Sequence, residues 1–324
     1  MKRLRSSLIL GLFTAFIITG FTSCLSLPQD DGISSELAVF NAITSSVQSI
    51  EKASETITPE EEYYIGRSVA ASIATTYPVD QGSYQMTQYL NNICQTLVMN
   101  SDKPYLYKGY YVVILDTDEI NAMATPGGHI FVSRGLIDCT DSEDALAAVL
   151  AHEIAHVQLG HSVQAIKASR VRAAVSDTTK AVAVTGLVAA NNKSDGLNLS
   201  DKEMKKVLEA VDTFSSASNE VVKTLVNTGF SKEQEFEADK TALYIMQAAG
   251  YDPYAMLDML SQLEDSPSNS GWGSTHPSPK DRIKKVNKEL TAMSKANPAM
   301  KEAKQVRTER FTTEYEEYRI FEID

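Results

Sequence analysis

The sequence predicts an α+β fold in which helices dominate and a small antiparallel β-sheet lies beside a buried helix. Two observations carry that expectation. Apolar residues recur at helical spacing in four stretches, around 58–78, 86–97, 140–159 and 232–249. One region is rich in aromatic and β-branched residues, Tyr110 to Leu115 and His129 to Val132, on either side of a Pro126-Gly127-Gly128 break. At 324 residues and 43% hydrophobic, the chain has a globular composition and enough length to bury a substantial core.

The first element is a leader. Lys2, Arg3 and Arg5 precede an apolar stretch from Leu8 to Ile18, and small polar residues lead to Cys24, which is the pattern of a secretory signal. Phe21-Thr22-Ser23-Cys24 resembles a bacterial lipobox, with Cys24 as the lipidated first residue of the mature chain and Phe21 where Leu is usual. The other readings are a plain cleaved signal and an uncleaved anchor, since no charge falls between Ser6 and Gln29. Residues 1–23 are thus expected as a signal peptide and the Ser- and Thr-rich 24–57 as a tether.

The folded domain is expected over 58–288. Thr58-Pro59-Glu60-Glu61 joins an N-cap, a proline at N1 and a capping-box glutamate, and Ile65, Val69 and Ile73 mark one face of the helix that follows. Met86, Leu90, Ile93, Cys94 and Leu97 mark a second. Tyr110 to Leu115 reads as a strand ended by Asp116; Ile120 to Ala124 and His129 to Val132 read as a hairpin around Pro126-Gly127-Gly128. Thr140-Asp141-Ser142-Glu143 is a second capping box, opening an Ala- and Leu-rich helix that runs to about Leu159. Residues 162–228 read as a helical lid or insertion, whose apolar run Ala181 to Ala190 is too short to span a bilayer. A helix over 232–249 is closed by Gly250 and Pro253, and 289–324 is expected as a C-terminal tail.

Charge narrows the function. Thirty basic against 42 acidic residues give a net −12 and a pI near 5.0, which argues against nucleic-acid binding because phosphate neutralisation needs clustered positive charge. Cleavage before Cys24 removes three basic residues and no acidic one, leaving −15 on the mature chain; lipid anchoring would then rest on acyl chains rather than on charge. Three cysteines are too few for a disulfide scaffold or a Cys₄ zinc module. Cys94 and Cys139 either pair after export or remain buried thiols.

The chain has five histidines, His129, His152, His156, His161 and His276, and the chemistry starts from them. His152-Glu153-Ile154-Ala155-His156 lies inside the apolar helix, and residues four apart differ by about 40° in helical phase, so both imidazoles leave one face. Two buried histidines and a glutamate need partners, and one zinc ion supplies them, with Glu153 beside the metal. The third ligand is not a histidine three residues further on, because Leu159 and Ser162 stand where a glycine and a histidine would be. His161 is about 180° from His152 in phase and is expected to face away as a polar helix end; His129 is expected as a strand residue near the cleft. Glu235 and Asp239 share a face of the later helix while Glu237 points elsewhere: Glu235 can ligate the metal, and Asp239 can accept from a ligating histidine.

His152-Glu153-x-x-His156, Glu235-x-x-x-Asp239, Ser274-Thr275-His276-Pro277 with Arg282, and Asn121-Ala122-Met123-Ala124-x-Pro126-x-Gly128 together resemble the HtpX and CAAX prenyl protease family of zinc metallopeptidases, over roughly 58–287. With no spanning segment after the leader, the chain is most similar to an exported, single-domain lipoprotein branch. The resemblance implies a zincin-like metalloprotease domain holding one zinc, His276 near the metal as a transition-state stabiliser or removable fourth ligand, and Arg282 as an anchor of that region. It also implies an edge strand at Asn121, Ala122, Met123 and Ala124 that holds substrate. The implied function is an endopeptidase acting on unfolded or misassembled polypeptides of the bacterial cell envelope. The rival is a proteolytically silent zinc-binding chaperone or assembly factor closed by His276; a prenyl-peptide protease is disfavoured because that task belongs to multi-span members. Leu25 after Cys24 points to a periplasm-facing lipoprotein of the outer rather than the inner membrane.

Overall fold

The computed structural model describes residues 56–168, 221–265, 276, 279–293 and 299–321. All of them belong to one compact unit; residues 1–49 and 176–195 lie outside the described residues. So do the leader, Cys24, nearly all of the tether and most of the lid segment.

Helix α1 (Pro59–Thr76) opens as its sequence dictates: the Thr58 side chain accepts from the Glu61 N–H, and the Glu61 carboxylate accepts from the Thr58 N–H. Helix α2 (Tyr84–Met99) buries Met86, Leu90, Ile93, Cys94 and Leu97 on one face. The chain then forms β1 (Tyr111–Leu115), β2 (Ala122–Ala124) and β3 (His129–Ser133). As expected, β2 and β3 form an antiparallel hairpin, with Met123 opposite Phe131, turning at Pro126–Gly128 where Gly127 takes φ 75°.

The sheet as a whole is mixed rather than antiparallel. Its order is β1-β3-β2, and β1 runs parallel to β3 in the register Val113 opposite Phe131. The loop after β1 crosses to the far side, so β2 becomes an edge and β3 returns through the middle alongside β1. Strand direction depends on where the connection lands, which local β-propensity does not encode.

Alternation of side chains splits the sheet between two cores. Val112, Ile114, Ala122, Ala124, Ile130 and Val132 face the main core with α2 and the later helices. Leu115, Met123 and Phe131 face α1, Ile166, Val221 and Leu225. A short helix α3 (Arg134–Cys139) leads into α4 (Glu143–Leu159), in which every residue from Glu143 to Gln158 is buried. The expected capping box at Thr140 is not formed; Ser142 caps instead, accepting from the Ala145 N–H at 3.2 Å.

Helices α5 (Lys232–Ala249), α6 (Ala255–Asp265), α7 (Pro279–Ala292) and α8 (Ala299–Phe321) complete the unit. Helix α5 packs along α4, closed at Gly250 with φ 85°. The segment expected as a tail contains the end of α7 and all of α8, and α8 is anchored to the start of α4. Arg310 Nε donates to Glu143 at 2.6 Å and Arg307 Nη2 lies 3.0 Å from Asp144. Tyr89 and Tyr251 hydroxyls also donate to Glu143. These contacts satisfy two buried carboxylates in the first turn of α4, where negative charge suits the helix dipole. The structure records Cys94 and Cys139 as free thiols. No helix of the described residues is long and apolar enough to cross a membrane.

Candidate metal centre

The site is built where α4 and α5 lie side by side. The one-turn spacing on α4 aims His152 and His156 the same way, with their Nε2 atoms 3.0 Å apart. From α5, Oε2 of Glu235 lies 3.5 Å from Nε2 of His152, and Oε1 lies 3.5 Å from Nε2 of His156. His276, from the segment between α6 and α7, donates from Nδ1 to Glu235 Oε2 at 2.7 Å. One donor atom from each of these four residues falls within 4.8 Å of the others, and all four residues are buried.

Around this cluster the contacts follow from the same helical phases. Asp239, one turn beyond Glu235, accepts from Nδ1 of His152 at 3.0 Å. Arg282 of α7 donates to Asp239 through Nε at 2.9 Å, and its Nη1 lies 3.6 Å from Glu235. Arg282 is fully buried, so its charge is matched by carboxylates rather than by water. Glu153 is 1% exposed, with Ala124 of the edge strand β2 near its carboxylate.

The charge states follow from burial and neighbours. Burial raises Glu153 to about 7, aided by the negative charge of Glu235 and opposed by His152 and Arg282. Burial also raises Glu235, but the nearby histidines outweigh it and hold that carboxyl well below its ordinary value. Burial and Arg282 oppose the charging of His152, while Asp239 and Glu235 prevail and raise it to about 9. His156 is pushed well below its ordinary value by burial and by His152. The carboxylates that favour positive charge on His152 also favour a cation beside it.

The structure therefore brings His152, Glu153, His156, Glu235, Asp239, His276 and Arg282 into one centre. Asn121, Ala122, Met123 and Ala124 lie beside it on the edge strand, while Cys24 lies outside the described residues. His129 begins β3, half-buried, its ring 5.4 Å from that of Tyr63.

His161 departs from expectation. It is fully buried, and its Nδ1 lies 2.8 Å from Nδ1 of His156. The phase of α4 does not carry through to His161, because Gly160 adopts φ 68° and breaks the helix, so the next residue restarts with a new direction. The glycine itself was the available signal. Phe230, stacked on the His156 ring at 4.3 Å, carries no comparable signal, since it arrives from a loop distant in sequence.

A mostly helical α+β unit with a buried His-Glu-x-x-His helix, a carboxylate from a neighbouring helix and a further histidine defines a metallopeptidase-type centre. Comparison with known proteins agrees: residues 85–290 match the model of peptidase family M48, and the chain belongs to that family. Relatives include the beta-barrel assembly-enhancing protease of Escherichia coli (strain K12), 27% identical over 207 residues, 61% of this chain and 37% of the relative. The mitochondrial metalloendopeptidase OMA1 of Schizosaccharomyces pombe is 31% identical over 208 residues, 63% of this chain and 53% of that one. The metalloprotease LoiP of Escherichia coli (strain K12) is 25% identical over 291 residues, 88% of this chain and 97% of that protein. The chain thus spans little more than a third of the assembly-enhancing protease but nearly the whole of LoiP.

Proposed function

We propose that this chain is a zinc-dependent endopeptidase of the bacterial cell envelope, cleaving unfolded or misassembled envelope proteins. The observation that carries the reading is the convergence of four buried donors beside Glu153. Oε1 of Glu235 is buried without a hydrogen-bond partner among the described residues, which is a fit for a cation, and two imidazoles with one carboxylate are the donor set of a catalytic zinc. His152, His156 and Glu235 would hold it. Bound zinc lowers the pKa of a water and polarises a carbonyl.

The protein's own groups do the rest. Glu153, raised to about 7, is poised to take a proton from the attacking water and pass it to the leaving amine. His276 stabilises the developing oxyanion. Asp239 fixes the tautomer of His152, and Arg282 holds Asp239. Strand β2 receives the substrate. Asn121 and Thr125 bond to β3, so by alternation the backbone groups of Ala122 and Ala124 face off the sheet edge, where an extended peptide can pair. Lipidation at Cys24 would tether the enzyme to the membrane, in the outer membrane facing the periplasm. The match to an assembly-enhancing protease supports the envelope setting.

The 2.7 Å contact between His276 and Glu235 supports a second reading, a zinc-binding chaperone whose site His276 closes as a fourth ligand. Casein digestion by wild type, Glu153→Gln, His276→Ala and chelator-treated protein separates them. The protease reading expects cleavage by wild type, lost with chelator and in Glu153→Gln although that variant retains zinc. Cleavage gained only in His276→Ala favours a closed resting state, and inertness of both wild type and His276→Ala rejects the peptidase for general substrates.

A further inference from the structure

The two histidines of α4 are supported differently. His152 turns its Nδ1 to a carboxylate, Asp239, at 3.0 Å. Among the described residues no carboxylate occupies the matching position behind His156; there the partner is the Nδ1 of His161, 2.8 Å away. The Nε2 atom of His156 points at His152 and Glu235, so as a donor to a metal it must be unprotonated, and its proton must sit on Nδ1. That N–H can only donate to His161 if Nδ1 of His161 is itself bare, which puts the His161 proton on Nε2. Nε2 of His161 lies 3.6 Å from Oε2 of Glu237.

We infer that His161 is a positioning residue that fixes the metal-binding tautomer and ring orientation of His156, with Glu237 biasing the His161 tautomer from outside. Helix α5 then serves the centre three times at alternate positions: Glu235 as ligand, Asp239 behind His152, and Glu237 behind His161. The two supports differ in strength. Asp239 is buried, whereas the Glu237 side chain is 67% exposed and its attraction is screened by solvent, so most of the effect resides in the imidazole. Phe230 stacks 4.3 Å from His156 and lies 5.7 Å from the ring of His161, flanking the two imidazoles, which stand edge to face at 74°, without supplying an acceptor.

This inference rests on the metal reading proposed above, and the test keeps the two apart. Zinc affinity of the full chain is measured by competition with a chromophoric chelator, and the visible bands of the cobalt-substituted protein are recorded, for wild type, His161→Phe, His161→Asn, His161→Gln and Glu237→Gln. Loss of such an outer partner typically weakens metal binding about 10- to 100-fold. His161→Phe, which keeps a ring but no acceptor, should fall in that range and shift the cobalt bands. Asn should restore most of the affinity, because its Oδ1 occupies the place of Nδ1, whereas Gln is one methylene too long. Glu237→Gln should cost less than about threefold, as an exposed charge does. Should His161→Phe fail to fold, the Asn and Gln pair decides: equal affinities overturn the inference. So does a folded His161→Phe with wild-type affinity and an unchanged cobalt spectrum. A wild type that binds no zinc overturns the metal reading itself.

Discussion

Arg282→Met in the metal-free protein isolates the electrostatic support beneath the centre. Arg282 is fully buried and meets Asp239 with two nitrogens, Nε at 2.9 Å and Nη2 at 2.5 Å. Burial opposes ionisation of Asp239, yet Arg282 and His152 hold its carboxyl below the usual range. Removing the guanidinium leaves two outcomes. If Asp239 stays ionised, it is a buried charge without its main counter-ion, which costs about 3–5 kcal/mol. If it protonates at pH 7 instead, the cost of lifting an ordinary aspartate by about three pKa units is about 4 kcal/mol. The two routes agree on about 4 kcal/mol, or a fall in Tm of about 8–16 °C for a unit of this size. The assay is equilibrium urea unfolding at pH 7 with chelator present, so that zinc binding does not add to native stability. The double variant Arg282→Met/Asp239→Leu should cost about 2 kcal/mol less than the sum of the single changes, because no buried charge is then orphaned. A single-variant loss below about 1 kcal/mol, or additivity within about 0.5 kcal/mol, would refute the account.

Two further predictions test other parts of the fold. Gly66→Ala should destabilise, because a Cβ there would lie 1.7 Å from the backbone oxygen of Pro126, in the turn that ends the edge strand. Overpacking against backbone costs up to about 3 kcal/mol, offset by about 0.5–1 kcal/mol of helix propensity, so urea unfolding should show a net loss near 2 kcal/mol and no gain. Burial raises Cys94 to about 12, and burial with the charge of Asp138 raises Cys139 to about 11, so both thiols stay protonated at pH 8. Iodoacetamide labelling mapped to these two cysteines should be slow in native protein, rise about tenfold per pH unit for Cys139, and become fast in urea; rapid native labelling at pH 8 contradicts the burial.

How far the sequence reached is visible element by element. Thr58-Pro59-Glu60-Glu61 placed the start of α1 because a capping box is a contact among neighbours in sequence, and Gly250 placed the end of α5 for the same reason. The helical repeat fixed which faces are buried. It also set His152 beside His156, and Glu235 beside Asp239, since one turn of helix brings residues four apart to the same side whatever the surroundings. The cluster of buried donors was thus legible as two halves. What brought the halves together was the packing of α5 along α4, and the packing of α7 against α5 then put His276 within 2.7 Å of Glu235 and Arg282 behind Asp239.

The tertiary structure alone decided the parallel pairing of β1 with β3, because strand direction follows from the path of a connection rather than from the strand's residues. It decided the place of α8, whose Arg307 and Arg310 find their carboxylates at the start of α4, more than 160 residues earlier. It also turned His161 inward. Phase can be carried along a helix only while the helix lasts, and at Gly160 the backbone leaves it. Local chemistry, repeated every turn, was written in the sequence; which surfaces then met was settled by burying apolar area across the whole unit, a sum over residues distant in the chain that no local pattern contains.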